Sequence, residues 1–340
     1  MNSYKPITQN SLIENTRAGT DLYIKSCANG VPRYVLFCRG DEAFSNKRKE
    51  ELIRRNIKLL YTPERSFRGY VTSRGKNLKT IIVNKKRCSE EKSSLVYHVA
   101  KYLVKDLLCN PGSGIIINGV KDWVDNTVYY ILQDKNAFSC LLKIIAHDSK
   151  TYIHSVNITV LGLLFGKHLA LDQHSLNCLG LGMLLHDLGK VEIPLEILNK
   201  PGKLSKHEYE IAKMHPENGL KCLEERENIP KESLDVVIQH HENYDGTGYP
   251  NGIGRRDIHL FGRISRIIDV YDAINTNKPY KTAKRPFHAL AEMREKMLNC
   301  FDKELFKEFI QFLGSMDSCR KRRVGGISFY NPKFCKNHLN

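Results

Sequence analysis

Histidines and aspartates carry most of the chemistry that this sequence of 340 residues can support. Two adjacent pairs are the most informative, His186-Asp187 and His240-His241. Neutral imidazole together with carboxylate suits borderline divalent metals such as iron, manganese or zinc, and not the all-oxygen sites of calcium. An adjacent His-Asp pair can offer one ligand to a metal ion and a carboxylate that bridges to a second ion. The pattern therefore predicts a metal centre.

The two pairs differ in how specific they are. A lone His-Asp dipeptide is weak evidence, because chance produces many of them. The adjacent pair His240-His241 follows the apolar run Val236-Val237-Ile238, and two histidines in a protein core would each need a hydrogen-bond partner. Metal ligation explains this pair better than core packing does.

The composition is that of a soluble globular protein, with 41% hydrophobic and 26% charged residues. The ten cysteines are scattered without a CxxC pair, and no signal peptide is evident, so free thiols in a reducing cytosol are expected. The apolar stretch near residues 160–165 is interrupted by Lys167 and His168, too soon to span a bilayer. We expect a cytoplasmic protein without a membrane span.

The net charge of +16 is unevenly distributed along the chain. Residues 1–146 hold 25 Lys and Arg against 13 Asp and Glu, residues 147–316 hold 22 against 23, and residues 317–340 hold 6 against 1. A solvated basic surface is the simpler explanation, since no aromatic-interleaved or zinc-finger pattern accompanies the charge. Binding of nucleic acid or of an anionic membrane surface by the basic N-terminal region stays open.

The elements that must position the histidines are helices. Residues 21–25, 34–38 and 57–61 predict short strands, and Ser45 is a candidate N-cap for a polar helix through Arg55. Helical periodicity fills 91–146 apart from a break at 110–114, and from 147 onward one helix follows another. We predict a small α+β sensor-like module (1–75), a helical connector (76–146), an all-α domain (147–316) and a basic tail (317–340).

Residues 148–315 resemble the HD-GYP family, a bacterial branch of the HD metal-dependent phosphohydrolases. Three segments carry the resemblance: His186-Asp187-x-Gly-Lys, the long signature His-His-Glu-x-x-Asp-Gly-x-Gly-Tyr-Pro at 240–250, and Asp269-Val-Tyr-Asp-Ala. It covers about half of the chain. It implies an HD-type helical domain and hydrolysis of cyclic di-GMP.

The resemblance also implies a set of metal ligands. His154, His186, Asp187 and Asp269 match the ligands of a first metal, with Asp187 bridging to the second. The ligands of that second metal are matched by His215, His240 and His241. Some members hold a third metal through a glutamate at the position of Lys150, and a lysine cannot act as an acceptor ligand at neutral pH. Two divalent ions, iron or manganese, are expected.

Substrate contacts follow in the same way. Lys190 matches a lysine that faces the scissile phosphate, and with Asp187 it forms the expected catalytic pair. The loop Gly248-Tyr249-Pro250 matches the segment that lines the substrate site. Lys278 and Lys281 match basic positions that meet the substrate phosphates. The family more often has arginine at position 278; a lysine there keeps the charge but loses the bidentate fork.

The mechanism implied by the family is attack by a hydroxide activated between two metals, which also clamp the phosphate oxygens. The product is linear pGpG, and members with three metals proceed more readily to GMP. Two alternatives stay open. The domain could act on another nucleotide, or it could be a signalling scaffold that docks a diguanylate cyclase carrying a GGDEF domain.

Overall fold

A four-stranded antiparallel sheet precedes a large helical region in the computed structural model. The strands are β1 (Tyr4–Thr8), β2 (Leu22–Ala28), β3 (Val31–Cys38) and β4 (Leu59–Pro63), in the order β1-β4-β2-β3. The structure describes residues 4–9, 12, 14–28, 31–85, 87–147, 154–226, 228–275 and 286–322.

The three strands predicted from the sequence are confirmed, and most of their ends lie within two residues of the predicted positions. Strand β1 was not predicted. Its sequence contains Pro6, and a proline counts against a strand. Because β1 lies at the edge of the sheet, the proline costs no ladder hydrogen bond on the outer side. Helix α1 (Asn46–Arg54) begins as predicted, with Ser45 as N-cap accepting a hydrogen bond from the Arg48 amide.

One face of the sheet carries a cluster of tyrosines. The rings of Tyr4 and Tyr34 stack 3.9 Å apart, and Tyr61 meets Tyr34 edge to face. The ammonium group of Lys25 lies 6.0 Å from the Tyr61 ring. This aromatic and basic cluster was not predicted from the sequence, because its members come from four different strands, Tyr23 included.

Helices form most of the remaining described chain. They are α2 (Glu64–Val83), α3 (Ser89–Cys109), α4 (Gly114–Gln133), α5 (Ala137–His147), α6 (His154–His168), α7 (Gln173–Leu185), α8 (Leu195–Leu198), α9 (Lys206–Ala212), α10 (His215–Leu223), α11 (Lys231–Gln239), α12 (Leu260–Asn275), α13 (Pro286–Met297) and α14 (Lys303–Arg322). The long helix α2 was not expected and runs across residue 75. Short 3-10 turns cover 188–192, 255–257 and 298–300.

Helices α6 and α7 form the centre of this region. Residues 156–166 of α6 are all buried, as are 178–185 of α7, because both helices are apolar on every side. They pack on each other; α12 packs on α6, and α11 packs on both α7 and α12. Helices α3 and α4 cover the same pair from another side, so the elements that carry the candidate ligands share one core.

The predicted fold class, an α+β module followed by an all-α domain, is confirmed. The division at residues 75, 146 and 316 stays a prediction. Among the described residues, no helix is long and apolar enough to cross a membrane. The eight cysteines whose side chains the structure describes are all free, as expected.

Candidate metal centre

Histidine and aspartate side chains converge where several helices begin or end. α10 begins with a histidine, a histidine is the first described residue of α6, and α7 and α11 are each followed directly by a pair of candidate ligands. The seventh side chain comes from the buried middle of α12. The set is His154, His186, Asp187, His215, His240, His241 and Asp269.

These side chains form three overlapping groups. His215, His240 and His241 make one group, and His154, His186 and Asp269 make another. Asp187 joins His186 and His240 in the third, so it links the first two. Within each group the potential ligand atoms lie within 4.8 Å of one another. The structure thus brings together all seven residues that the resemblance implied.

The carboxylate of Asp187 faces both sides of the cluster. Its Oδ2 lies 3.3 Å from Nε2 of His186, and its Oδ1 lies 3.4 Å from Nε2 of His215 and 3.9 Å from Nε2 of His240. One oxygen is therefore available to each histidine group. This is the arrangement that a carboxylate bridging two cations requires.

Backbone carbonyls fix the tautomers of three histidines. Nδ1–H of His186 donates to the Met183 carbonyl at 2.8 Å, and the corresponding bonds of His215 and His240 measure 2.8 and 2.9 Å. With the proton on Nδ1, the lone pair of Nε2 points into the cluster. Each histidine is thereby oriented as a ligand.

Burial keeps His215, His240 and His241 neutral. It lowers the pKa of His215 to about 4 and that of His241 to about 3. The pKa of His240 falls well below its usual value, through burial and then the neighbouring imidazoles. Burial alone would raise the pKa of Asp187, but its electrostatic interactions with His186 and Lys190 hold that pKa well below its usual range. Neutral imidazoles beside ionised carboxylates form a donor set for a divalent cation.

His154 differs from the other histidines. Its Nε2 lies 3.0 Å from Oδ1 of Asp269, and its Nδ1 donates to Oδ2 of Asp272 at 2.7 Å. Burial lowers the pKa of His154, but the two carboxylates outweigh it and raise that pKa to about 10. A cation beside Asp269 would take the place of the Nε2 proton, while Asp272 would still orient the ring.

The atoms inside the cluster fit a bound metal better than they fit one another. Nε2 of His186 and Oδ1 of Asp187 are buried, and neither has a hydrogen-bond partner among the described residues. The Nε2 atoms of His215 and His240 lie 3.2 Å apart, although both carry lone pairs in the assigned tautomers. Buried polar atoms without partners are costly, and a shared cation removes that cost.

Close backbone packing holds two of the ligand segments together. A Cβ atom on Gly189 would lie 2.0 Å from the His215 carbonyl oxygen and 2.3 Å from the Gly219 amide. Only glycine allows this approach, so Gly189 brings the His-Asp segment against the start of α10. The glycine of the His-Asp-x-Gly-Lys motif is therefore required by packing.

The Gly-Tyr-Pro loop forms one wall of the site. The Tyr249 ring stacks on His241, with centroids 4.7 Å apart and planes inclined by 26°. Gly248 is pressed against the chain that carries His241, since a Cβ there would lie 2.6 Å from the His241 carbonyl oxygen. Pro250, the third predicted loop residue, directly follows Tyr249. The loop is thus packed against a candidate ligand.

Glu242 connects this loop to the ligand segment, a role that sequence reasoning missed. Its side chain is 1% exposed, and its carboxylate accepts a hydrogen bond from the Asn251 amide at 2.7 Å. The signal was its position directly after the His-His pair. Asp272 and Arg266 were missed as well; Arg266 donates to Asn243 and approaches Nδ1 of His241 at 3.5 Å.

Asp245 shapes a turn, whereas Lys190 contacts the cluster. Asp245 accepts hydrogen bonds from the amide and hydroxyl of Thr247, at 3.1 and 2.6 Å, and shapes the turn. Lys190 donates to Oδ2 of Asp187 at 2.6 Å, so its charge reaches the candidate bridging carboxylate. Lys278, Lys281 and Lys150, which the sequence analysis singled out, lie outside the described residues.

The helix ends bring histidines and aspartates into one cluster, which is typical of a helical metal-binding domain. Residues 139–305 match the family described as HD domain, and this match covers just under half of the chain. The recognition of the chain from its sequence as a protein of the HD-GYP type is confirmed.

Similar proteins are known from several bacteria. A cyclic di-GMP phosphodiesterase of Pseudomonas aeruginosa is 36% identical over 203 residues, covering 60% of this chain and 49% of that protein. A 3'3'-cGAMP-specific phosphodiesterase of Vibrio cholerae is 43% identical over 98 residues, covering 28% of this chain and 19% of that protein. The chain thus spans about half the length, or less, of these curated relatives.

A solved structure has a related fold. An HDGYP protein from Bdellovibrio bacteriovorus superposes with a TM-score of 0.65 over 92% of this chain and 100% of that one, at 19% identity. The superposition extends beyond the HD domain, so the N-terminal sheet and the helices after it belong to a shared architecture.

Proposed function

We propose that this chain hydrolyses cyclic di-GMP to linear pGpG. The observation that carries the proposal is Asp187, whose two oxygens face two separate histidine groups. The similarity to a cyclic di-GMP phosphodiesterase of Pseudomonas aeruginosa supports the choice of substrate. In the reaction, water adds to phosphorus and one P–O3′ bond breaks, which leaves a 5′-phosphate and a free 3′-hydroxyl.

We further propose that the cluster holds two divalent metal ions, iron or manganese. His154, His186 and Asp269 would hold one ion, His215, His240 and His241 the other, and Asp187 would bridge them. When bound, such ions lower the pKa of water and neutralise charge on phosphate oxygens. The histidine-rich donor set favours these metals over magnesium or calcium.

The protein's own groups would orient and stabilise the substrate. Lys190 is a fixed positive charge beside Asp187, suited to neutralise charge that develops on the scissile phosphate. Tyr249 closes one side of the cluster by stacking on His241 and excludes water from it. Lys278 and Lys281 remain predicted contacts to the other phosphate.

The test combines metal analysis with a product assay. Protein purified anaerobically with iron or manganese should hold two metal ions per chain and convert cyclic di-GMP to pGpG. Asp187→Ala should lose both the metal and the activity while circular dichroism still reports a folded helical protein. Parental activity in a His186→Ala/Asp187→Ala double variant would contradict the site, and a full-occupancy stoichiometry of one or three would contradict the binuclear model.

A second candidate substrate is 3'3'-cGAMP, because relatives from Vibrio cholerae are named as specific for it. Comparing kcat/KM for the two dinucleotides with the same metal-loaded protein decides between them. Docking of a GGDEF-domain protein and nucleic-acid binding by the basic N-terminal region stay open as alternatives.

A further inference from the structure

A lysine and a second tyrosine stand beside Tyr249. The ammonium group of Lys213, which caps the end of α9, lies 5.8 Å from the Tyr249 ring centre and 5.4 Å from that of Tyr209. Tyr249 in turn stacks on His241. The Tyr209 residue is 50% exposed, whereas the His241 side chain is 17% exposed. The row of groups therefore leads from the candidate metal centre toward solvent.

The Lys213 ammonium group is available to a ligand. Among the described residues it forms an ion pair with Glu210, at 2.7 Å, and the Glu210 side chain is 65% exposed. Such exposed pairs contribute little to stability, so a ligand acceptor can replace the glutamate. An ammonium group offers three N–H donors and no acceptor, which makes it selective for acceptor groups on a ligand.

The aromatic rings beside the lysine suit a flat base. Tyrosine faces bind nucleobases by stacking, and this contact tolerates any base. The lysine adds discrimination, because one edge of guanine presents two acceptors, N7 and O6, whereas adenine presents a donor amino group at the second position. Aromatic faces together with a donor-only cation therefore match guanine.

We propose that Tyr209, Lys213 and Tyr249 form a base-binding subsite that reads a guanine of the cyclic dinucleotide. The inference rests on the proposed function and deepens it, because it assigns guanine selectivity to named residues. Lys213 contacts the N7 and O6 edge of the base, and Tyr209 stacks on its face.

The test compares two dinucleotides that share a sugar–phosphate ring and differ only in their bases. Lys213→Met keeps the aliphatic stem and removes the charge. We expect kcat/KM for cyclic di-GMP to fall roughly tenfold, mainly through KM. The inhibition constant of cyclic di-AMP against this reaction should stay unchanged. Lys221→Met, on an exposed lysine of α10, is the matched control, and the metal content of each variant is measured.

Stacking is tested separately at Tyr209. Tyr209→Leu should raise KM for cyclic di-GMP, and Tyr209→Phe, which keeps the ring, should raise it less. Equal effects of these two substitutions would overturn the stacking role.

The outcomes at Lys213 are equally distinct. If Lys213→Met weakens the binding of cyclic di-GMP and of cyclic di-AMP equally, the lysine contacts phosphate and the proposal is wrong. Unchanged kinetics for cyclic di-GMP would overturn it as well. If the metal-loaded parental protein hydrolyses no cyclic dinucleotide, the proposed function fails by itself. Calorimetric titration of both dinucleotides into parental and Lys213→Met protein then tests the subsite alone.

Discussion

Replacing Glu242 by glutamine tests whether the Gly-Tyr-Pro loop must be held in place for catalysis. The carboxylate is buried, and it accepts a hydrogen bond of ordinary length from the Asn251 amide, at 2.7 Å. Burial raises the pKa of Glu242, and backbone N–H groups of Asn251, Gly252 and Ile253 oppose that rise. The substitution keeps the shape of the side chain and removes its charge.

The expected magnitude follows from these contacts. A hydrogen bond to a charged group contributes about 1.5–3 kcal/mol, against about 0.5–1.5 kcal/mol for a neutral pair. Exchanging the carboxylate of Glu242 for an amide therefore weakens the bond to Asn251 by about 1 kcal/mol, and the electrostatic interactions with the Gly252 and Ile253 amides by less. A neutral amide also costs less to bury than a carboxylate, which offsets part of the loss. We expect loop closure to weaken by about 1–2 kcal/mol, a factor of about 5 to 30.

The assay separates the loop from the metal and from the fold. Glu242→Gln should lower kcat/KM for cyclic di-GMP by about 5- to 30-fold, if closure of the loop limits binding of the substrate. Metal content should match that of the parental protein, and the melting temperature should stay close to it. Glu224→Gln, on an exposed glutamate after α10, is the matched control.

Two results would refute this reasoning. Parental kinetics in Glu242→Gln would mean that the loop holds its position without the buried charge. Loss of metal together with activity would mean that Glu242 supports the adjacent His241 and not the loop.

Three further substitutions test other parts of the site. Asp272→Asn weakens the group that orients His154, so metal affinity measured by chelator competition should fall roughly 10-fold, and an unchanged affinity would contradict this role. Gly189→Ala places a Cβ 2.0 Å from a carbonyl oxygen of α10. It should cost about 1–3 kcal/mol or more in thermal denaturation; equal stability of Gly189→Ala and Gly114→Ala, where the Cβ meets nothing within 4 Å, would refute this. Lys278→Ala should keep its metal and lose a contact to the substrate phosphate of about 1.5–3 kcal/mol, which lowers kcat/KM about tenfold to hundredfold. Lys278→Arg should hold or raise kcat/KM. Loss of metal or parental kinetics in Lys278→Ala would exclude the contact.

The sequence by itself determined which residues are candidate ligands and which type of element carries them. His186-Asp187 and His240-His241 are adjacent in the chain, and helical periodicity around them is a local property. Local patterns also predicted the cap at Ser45 and the strands β2, β3 and β4. Local chemistry suffices for these features because the groups that decide them lie within a few residues of one another.

Only the tertiary structure decided how these residues act together. Asp272 meets His154 across 118 positions of sequence, and Lys213 meets Tyr249 between two separate segments. Neither contact has a local signal, since packing of the buried helices α6, α7, α11 and α12 sets the distances. The position of Asp187 between the two histidine groups is decided in the same way. Packing of the helical core determines which histidine each carboxylate oxygen faces, and the neighbours of Asp187 in the chain do not.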